Sequence, residues 1–256
     1  MGNNSLEKFV GRFDRLGVRL GAPSWVWPGG YAENARKLKP VFDQVQITAY
    51  EAHSVSPVSA EETDSLAALK SDDFGYCLHL PIPTNLAVTG GSPENAIIDT
   101  ISAYRKIGVT NYVLHVEEFG GWNPKLIPGR VSTIIERTGI RAEQICMENI
   151  IGTTFDKVWD SAKGLGVSVC FDVGHCVYEG GDPLKFIDAH SEKIRMAHIH
   201  GATRTADHLP LNAIPLETLS AIVSRLGDLK MDGSMVIENF SAQSMLESLE
   251  HLSKIS

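Results

Sequence analysis

Glu51 in ITAYE, His79 in CLHLP, His115 in YVLHV and Glu148 in CMEN each close a short apolar run. Asp172 and His175 in CFDVGH, His198 and His200 in AHIHG, and Glu238 in VIEN do the same, and Asp207 and His208 follow in ADHLP. Imidazoles mixed with carboxylates, with no cysteine in the set, suit a borderline divalent cation. Zinc or manganese leads, and iron is also compatible. Each residue alone has a plainer reading. A histidine at a strand end is commonly a satisfied structural group, and Glu148 or Glu238 alone could accept hydrogen bonds from the next helix's first turn. Taken together they weigh differently, because burying so many ionisable groups at one place is costly unless cations or each other compensate them.

For such distant residues to meet, the chain must bring strand ends to one place. Apolar runs alternate with amphipathic stretches throughout. The spacing predicts strands at Arg19–Ser24, Gln44–Glu51, Gly75–Leu80, Asn111–Val116, Gln144–Glu148, Ser168–Asp172, Arg195–His200 and Ser234–Glu238. The helices between and after them fall at Tyr31–Leu38, Ala60–Lys70, Pro93–Ile107, Leu126–Thr138, Phe155–Leu165, Pro183–His190, Pro215–Leu226 and Ser241–Leu252. Strands such as YCLHL and VSVCFD are apolar on both faces, as expected when helices cover a parallel sheet. This α/β rhythm and length predict a single (β/α)8 barrel over residues 1–256, with residues 1–16 as an N-terminal extension. A doubly wound open sheet is the alternative, weakened because no GxGxxG follows the first strand. Segments without helical spacing, Ile82–Ser92, Glu117–Pro124, Val173–Asp182 and Gly201–Pro215, read as loops on the face where barrels do chemistry. Strand parity turns His198 and His200 the same way. His200, nearer the open end, is expected to be the ligand, with His198 a layer below. Trp25, Trp27 and Trp122 lie in loops near that face and could stack on a flat ligand or pack under a lid.

Composition narrows the classes. The chain has 256 residues, 43% hydrophobic and 21% charged, which suits one well-filled core. No apolar run approaches the roughly 20 residues that span a bilayer. The start MGNNSLEKFV shows neither a secretory h-region nor the myristoylation pattern, since Leu6 stands where Ser or Thr is needed. Cys77, Cys146, Cys170 and Cys176 read as reduced, mostly buried thiols of a cytoplasmic protein. His53, His190 and His251 read as solvent-facing or capping groups. A net charge of −8 gives no general attraction to nucleic acid or to anionic membranes. The absence of GxSxG and of a P-loop leaves no support for a serine-hydrolase elbow or a Walker-type site. A small-molecule substrate is expected.

The order of these residues resembles the superfamily of xylose isomerase-like TIM barrels, which includes the endonuclease IV family (AP endonuclease family 2). The resemblance runs over essentially the whole chain after Leu16. It implies that Glu148, Asp172, His200 and Glu238 hold a divalent metal. His79, His115, His175 and His208 match the extra histidines of the phosphoester-cleaving members. Endonuclease IV has an aspartate two residues before the last of these, and here Ala206 stands there with Asp207 adjacent. A third metal set is therefore incomplete by that pattern, and one to three ions remain open. The stretches RLGAPSWVWPGGYAENARKL, FDQVQITAYE, YCLHLPIPTNL, FDVGHCVYEGGDP and DHLPLN with IENFSAQSMLESLEHL resemble one branch, cobamide-remodelling enzymes that hydrolyse the phosphoester of a corrinoid's nucleotide loop.

The reading that follows is a metal-dependent phosphoester hydrolase. Glu148 and Glu238 are catalytic as well as ligating, and Trp25, Trp27, Trp122, His198 and Glu51 contact substrate. The alternative is a sugar or sugar-phosphate isomerase or epimerase with one divalent ion, using Glu148 and Glu238 as bases. DNA repair ranks below both, since the sequence pI of about 5.6 lacks the electrostatic footprint for tracking phosphates. A barrel that binds a metabolite without turnover is a further, non-enzymatic reading.

Overall fold

The computed structural model describes residues 6–49, 58–82, 84–118, 120–229 and 231–255. The strands β1 (Leu20–Pro23), β2 (Gln44–Thr48), β3 (Gly75–His79), β4 (Tyr112–Leu114), β5 (Ile145–Glu148), β6 (Ser168–Asp172), β7 (Ile194–Ile199) and β8 (Met235–Ile237) close in sequence order into one barrel. Every neighbouring pair is parallel, including β1 with β8. The helices are α1 (Tyr31–Leu38), α2 (Ala60–Leu69), α3 (Pro93–Ala103), α4 (Ile127–Thr138), α5 (Phe155–Ala162), α6 (Val173–Tyr178), α7 (Pro183–His190), α8 (Leu216–Gly227) and α9 (Ala242–Leu252). The open-sheet alternative is excluded by closure.

The expected elements stand, with two differences. The runs expected to be helical through Ile107 and Leu165 tighten into 3-10 turns at Arg105–Ile107 and Lys163–Leu165, each stopped by a left-handed glycine, Gly108 or Gly166. More consequential is α6, which occupies the first half of a segment expected to be loop. Its six residues are too few to show a helical period, but Asp172 starts it by accepting the His175 backbone N–H at 2.6 Å.

Strand parity builds the interior. Outward residues such as Val45, Ile47, Tyr76, Leu78, Ile145, Val169, Phe171 and Ile199 are buried with the helices in one large core. Inward residues form layers. Cys77, Val113, Cys146, Cys170, Met196 and Val236 make a separate apolar cluster inside the barrel. Each stands two positions before a member of the polar set: His79, His115, Glu148, Asp172, His198 and Glu238. A period of two therefore stacks the donors one step above a greasy floor. The thiols there are buried and carry no charge at neutral pH, Cys170 being pushed up to about 12 chiefly by burial. Gly21 leaves room at this level, since a Cβ there would meet Ser234 Oγ at 2.7 Å and Val236 Cγ2 at 2.9 Å.

Residues 6–16 are not a loose appendage where described: Leu6, Phe9, Phe13 and Leu16 are buried in the outer core, and Lys8 pairs with Glu250 of α9 at 2.6 Å. No described helix is long and apolar enough to cross a membrane.

Candidate metal centre

The barrel gathers nine of the expected residues at its C-terminal mouth: His79, His115, Glu148, Asp172, His175, His198, His200, His208 and Glu238. They fall into overlapping donor sets. His79 and His115 meet Glu148, with His115 Nε2 at 2.8 Å and His79 Nε2 at 3.6 Å from Oε2. The other oxygen of Glu148 faces His198 Nδ1 at 3.0 Å, and that nitrogen lies 3.5 Å from Glu238 Oε1 and 3.8 Å from Asp172 Oδ2. A further set is His175, His200 and His208, whose donor atoms also lie within 4.8 Å of one another.

His200 lies nearer the open end and His198 a step below it, as expected, and both join donor sets. The register pairs His198 with Asp172 across β6 and β7, so His198 stands level with the carboxylates. The strand ends at Ile199, and His200 lies beyond it, turned to Asp172 with Nε2 at 3.2 Å. Its Nδ1 lies 3.1 Å from the Gly201 carbonyl oxygen and 2.9 Å from the His208 backbone nitrogen. Room for the ring comes from Gly174 in the DVGH turn, where a Cβ would lie only 2.0 Å from the imidazole. The loop after β7 doubles back through paired bonds between Gly201 and Leu209, carrying His208 at φ 50° until its ring stacks on His200 at 4.2 Å.

The ring nitrogens are oriented as metal-binding histidines require. His79 Nδ1–H donates to the Leu80 carbonyl at 2.9 Å, and His175 Nδ1–H donates to the Asn149 carbonyl at 3.0 Å. His198 Nε2–H donates to Gln46 Oε1 at 2.7 Å. Each such bond fixes the tautomer and leaves the other nitrogen for a cation.

The electrostatics agree. Burial resists the charge on Glu148, but the imidazoles of His198 and His115 outweigh it and hold the carboxyl well below the ordinary carboxylate range. Burial likewise opposes ionisation of Asp172, and His200 and His175 reverse it. For Glu238 burial is overcome mainly by His198, with the His208 hydrogen bond adding to it. On the basic side, burial works against a charged His198, yet the carboxylates of Glu148 and Glu238 beside it raise it well above the usual histidine value. His200 rises to about 9, because Asp172 outweighs burial. His115 instead falls, burial exceeding the attraction of Glu148. Desolvating a carboxylate costs several kcal/mol. Protons on His198 and His200 supply part of the positive charge that three buried carboxylates demand. Imidazole and carboxylate donors with fixed tautomers fit a divalent cation, and the same places would hold it.

Uncharged residues missed by the search for titratable groups carry much of this geometry. Asn149 bonds the Asp172 backbone twice, each at 2.8 Å, and Asn239 grips the His208 and Leu209 carbonyls at 3.3 and 3.2 Å. The signal was present, since CMEN and VIEN place an asparagine after each glutamate. Gln46 in β2 is the third.

Other expectations fare differently. Glu51 and His53 lie outside the described residues. Trp27 and Trp122 pack against the outer core. Trp25 is 42% exposed and lines an open groove of about 460 Å³ with Gly30, Tyr31, Ser59 and Glu62. His190, expected to face solvent or cap, sits among Phe155, Trp159 and Phe186, and burial lowers it. His251 Nε2–H donates to the Ile214 carbonyl at 3.0 Å. Cys176, beside His175, is buried and raised to about 11, first by burial.

The family described as xylose isomerase-like TIM barrel matches residues 32–255. No curated protein sequence matches. Among solved structures, a D-tagatose 3-epimerase-like protein is similar at 21% identity and TM-score 0.72, over 93% of this chain and 96% of that one. A D-allulose 3-epimerase from Methylomonas sp. is similar at 15% and 0.69, over 93% and 98%. A 3-keto-D-glucoside 4-epimerase from E. coli, in its apo form, is similar at 13% and 0.68, over the same shares of 93% and 98%. At these identities the likeness is one of fold, and with the family match it settles membership: the chain belongs to the xylose isomerase-like TIM barrels.

Proposed function

We propose that this chain is a divalent-metal-dependent phosphoester hydrolase. One observation carries the reading: the two oxygens of Glu148 face different donor sets, His79 with His115 on one side and His198, Asp172 and Glu238 on the other. A carboxylate so placed would serve a cation on either side, as phosphoester cleavage by clustered metals requires. Cations held there would neutralise phosphoryl charge and acidify water. The chain's own groups do the rest. His175 and His208 flank the mouth and would contact phosphoryl oxygens or a further ion. Glu238, ionised and held on Oε1 by Gln46, leaves Oε2 turned to His208 at 3.4 Å, placed to orient an attacking water and accept its proton. The apolar floor keeps bulk water from entering from below. Trp25 and its groove offer a flat surface for a bulky substrate, and the resemblance to cobamide-remodelling hydrolases makes a corrinoid's nucleotide loop the first to assay. Hydrolysis of a complete corrinoid, followed by release of its nucleotide, tests this directly.

A second reading has its own support. Glu148 and Glu238 share one donor set with Asp172 and His198, an arrangement sufficient for one ion and two bases, and the similar solved structures named above are two sugar epimerases and a D-tagatose 3-epimerase-like protein. Incubation with ketohexoses, read by chromatography for epimers, tests it.

A further inference from the structure

We propose that Gln46 is a positioning residue of the centre: one amide selects the nitrogen that His198 presents and fixes the orientation of Glu238. The inference rests on the metal reading above and extends it to an uncharged residue in the barrel floor. Gln46 is fully buried in β2, beside Cys77 in the register and reaching across to β7 and β8.

The geometry leaves one consistent assignment. The ionised Glu238 carboxylate can only accept, so the group 2.8 Å from its Oε1 is the amide nitrogen of Gln46. The amide oxygen is then the atom 2.7 Å from His198 Nε2, and it can only accept. The proton of that bond therefore belongs to Nε2. Nδ1, whose own proton a bound cation would replace, is the nitrogen facing Glu148 at 3.0 Å, Glu238 at 3.5 Å and Asp172 at 3.8 Å. Donors from two different strands are thus set by a single side chain. Leucine would fill the volume and match the apolar floor, but would leave His198 free to carry its proton on either nitrogen and Glu238 Oε1 without a donor. Glutamate would keep the acceptor for His198 while setting a carboxylate against Glu238.

The test uses the full chain loaded with zinc. In protein labelled with 15N-histidine, long-range 1H–15N correlation is expected to show His198 protonated on Nε2 and ligated through Nδ1. Competition with a chelator is expected to show zinc bound about 10- to 100-fold more weakly in both Gln46→Leu and Gln46→Glu, the usual cost of losing an outer partner of a metal ligand. Their circular dichroism should match the parent. Should neither variant fold, the tautomer in the parent protein still decides. Zinc-loaded parent protein with His198 protonated on Nδ1, or a folded Gln46→Leu variant with unchanged zinc affinity, overturns the inference while leaving the metal centre standing. Parent protein that takes up no zinc overturns the metal centre itself, and Gln46's role with it.

Discussion

Glu148 is where the donor sets meet, and its charge matters more than its shape. Glu148→Gln keeps the volume and the capacity to bond but removes the anion. It is expected to lose zinc, measured by elemental analysis, and to lower turnover by at least roughly 10³-fold with the fold intact by circular dichroism. Retained activity would remove Glu148 from the mechanism. His200 governs the alkaline side of metal-free stability. Its ordinary value of 6.5 is raised to about 9 by Asp172 against the opposition of burial. A raised histidine contributes stability that is complete below its unfolded value and lost as pH climbs through its folded one. Glu148 and Asp172, both lowered, contribute above the ordinary carboxylate range and lose it in acid. Urea midpoints of the metal-free chain should therefore be highest near pH 5 to 6.5 and fall on both sides; a flat profile through pH 9 would contradict the His200–Asp172 pairing. At Gly174, any side chain must displace His200, so Gly174→Ala is expected to cost about 1–3 kcal/mol in chemical denaturation.

Asp172 ends β6 and begins α6, giving Oδ1 to the His175 backbone while its side chain also faces His198 and His200. Those roles separate by substitution. Asparagine can still cap the helix, so Asp172→Asn and Asp172→Ala should both lose zinc, while only alanine loses about a further 1 kcal/mol of metal-free stability. Equal stability of the two would show that the cap contributes nothing. The floor beneath the donors is tested by Met196→Ala, expected to cost about 2–5 kcal/mol by opening a cavity inside the barrel. Much of this was legible beforehand: the alternation of apolar runs with amphipathic stretches gave the elements, and polar residues at run ends gave the mouth. What escaped has physical causes. That His198 stands level with Asp172 depends on the register of β7 on β6, which shifts at Val169/Cys170 and leaves no mark in one strand's own sequence. The helix α6 is too short for periodicity. Gln46, Asn149 and Asn239 carry no charge, and a search for ionisable groups passes over them.

Across the whole molecule, closure of the barrel converts eight separate strand ends into one mouth, and the account depends on what that mouth holds. Cations that bind only the folded chain stabilise it by mass action, about 2.7 kcal/mol at a hundred times Kd. Chelation should accordingly lower the thermal midpoint, and zinc should restore it. The most direct measurement is the ratio of bound metal to protein after saturation with zinc and removal of the excess. Two or more ions per chain is the expected result. One ion per chain would contradict the hydrolase reading and leave the isomerase in its place.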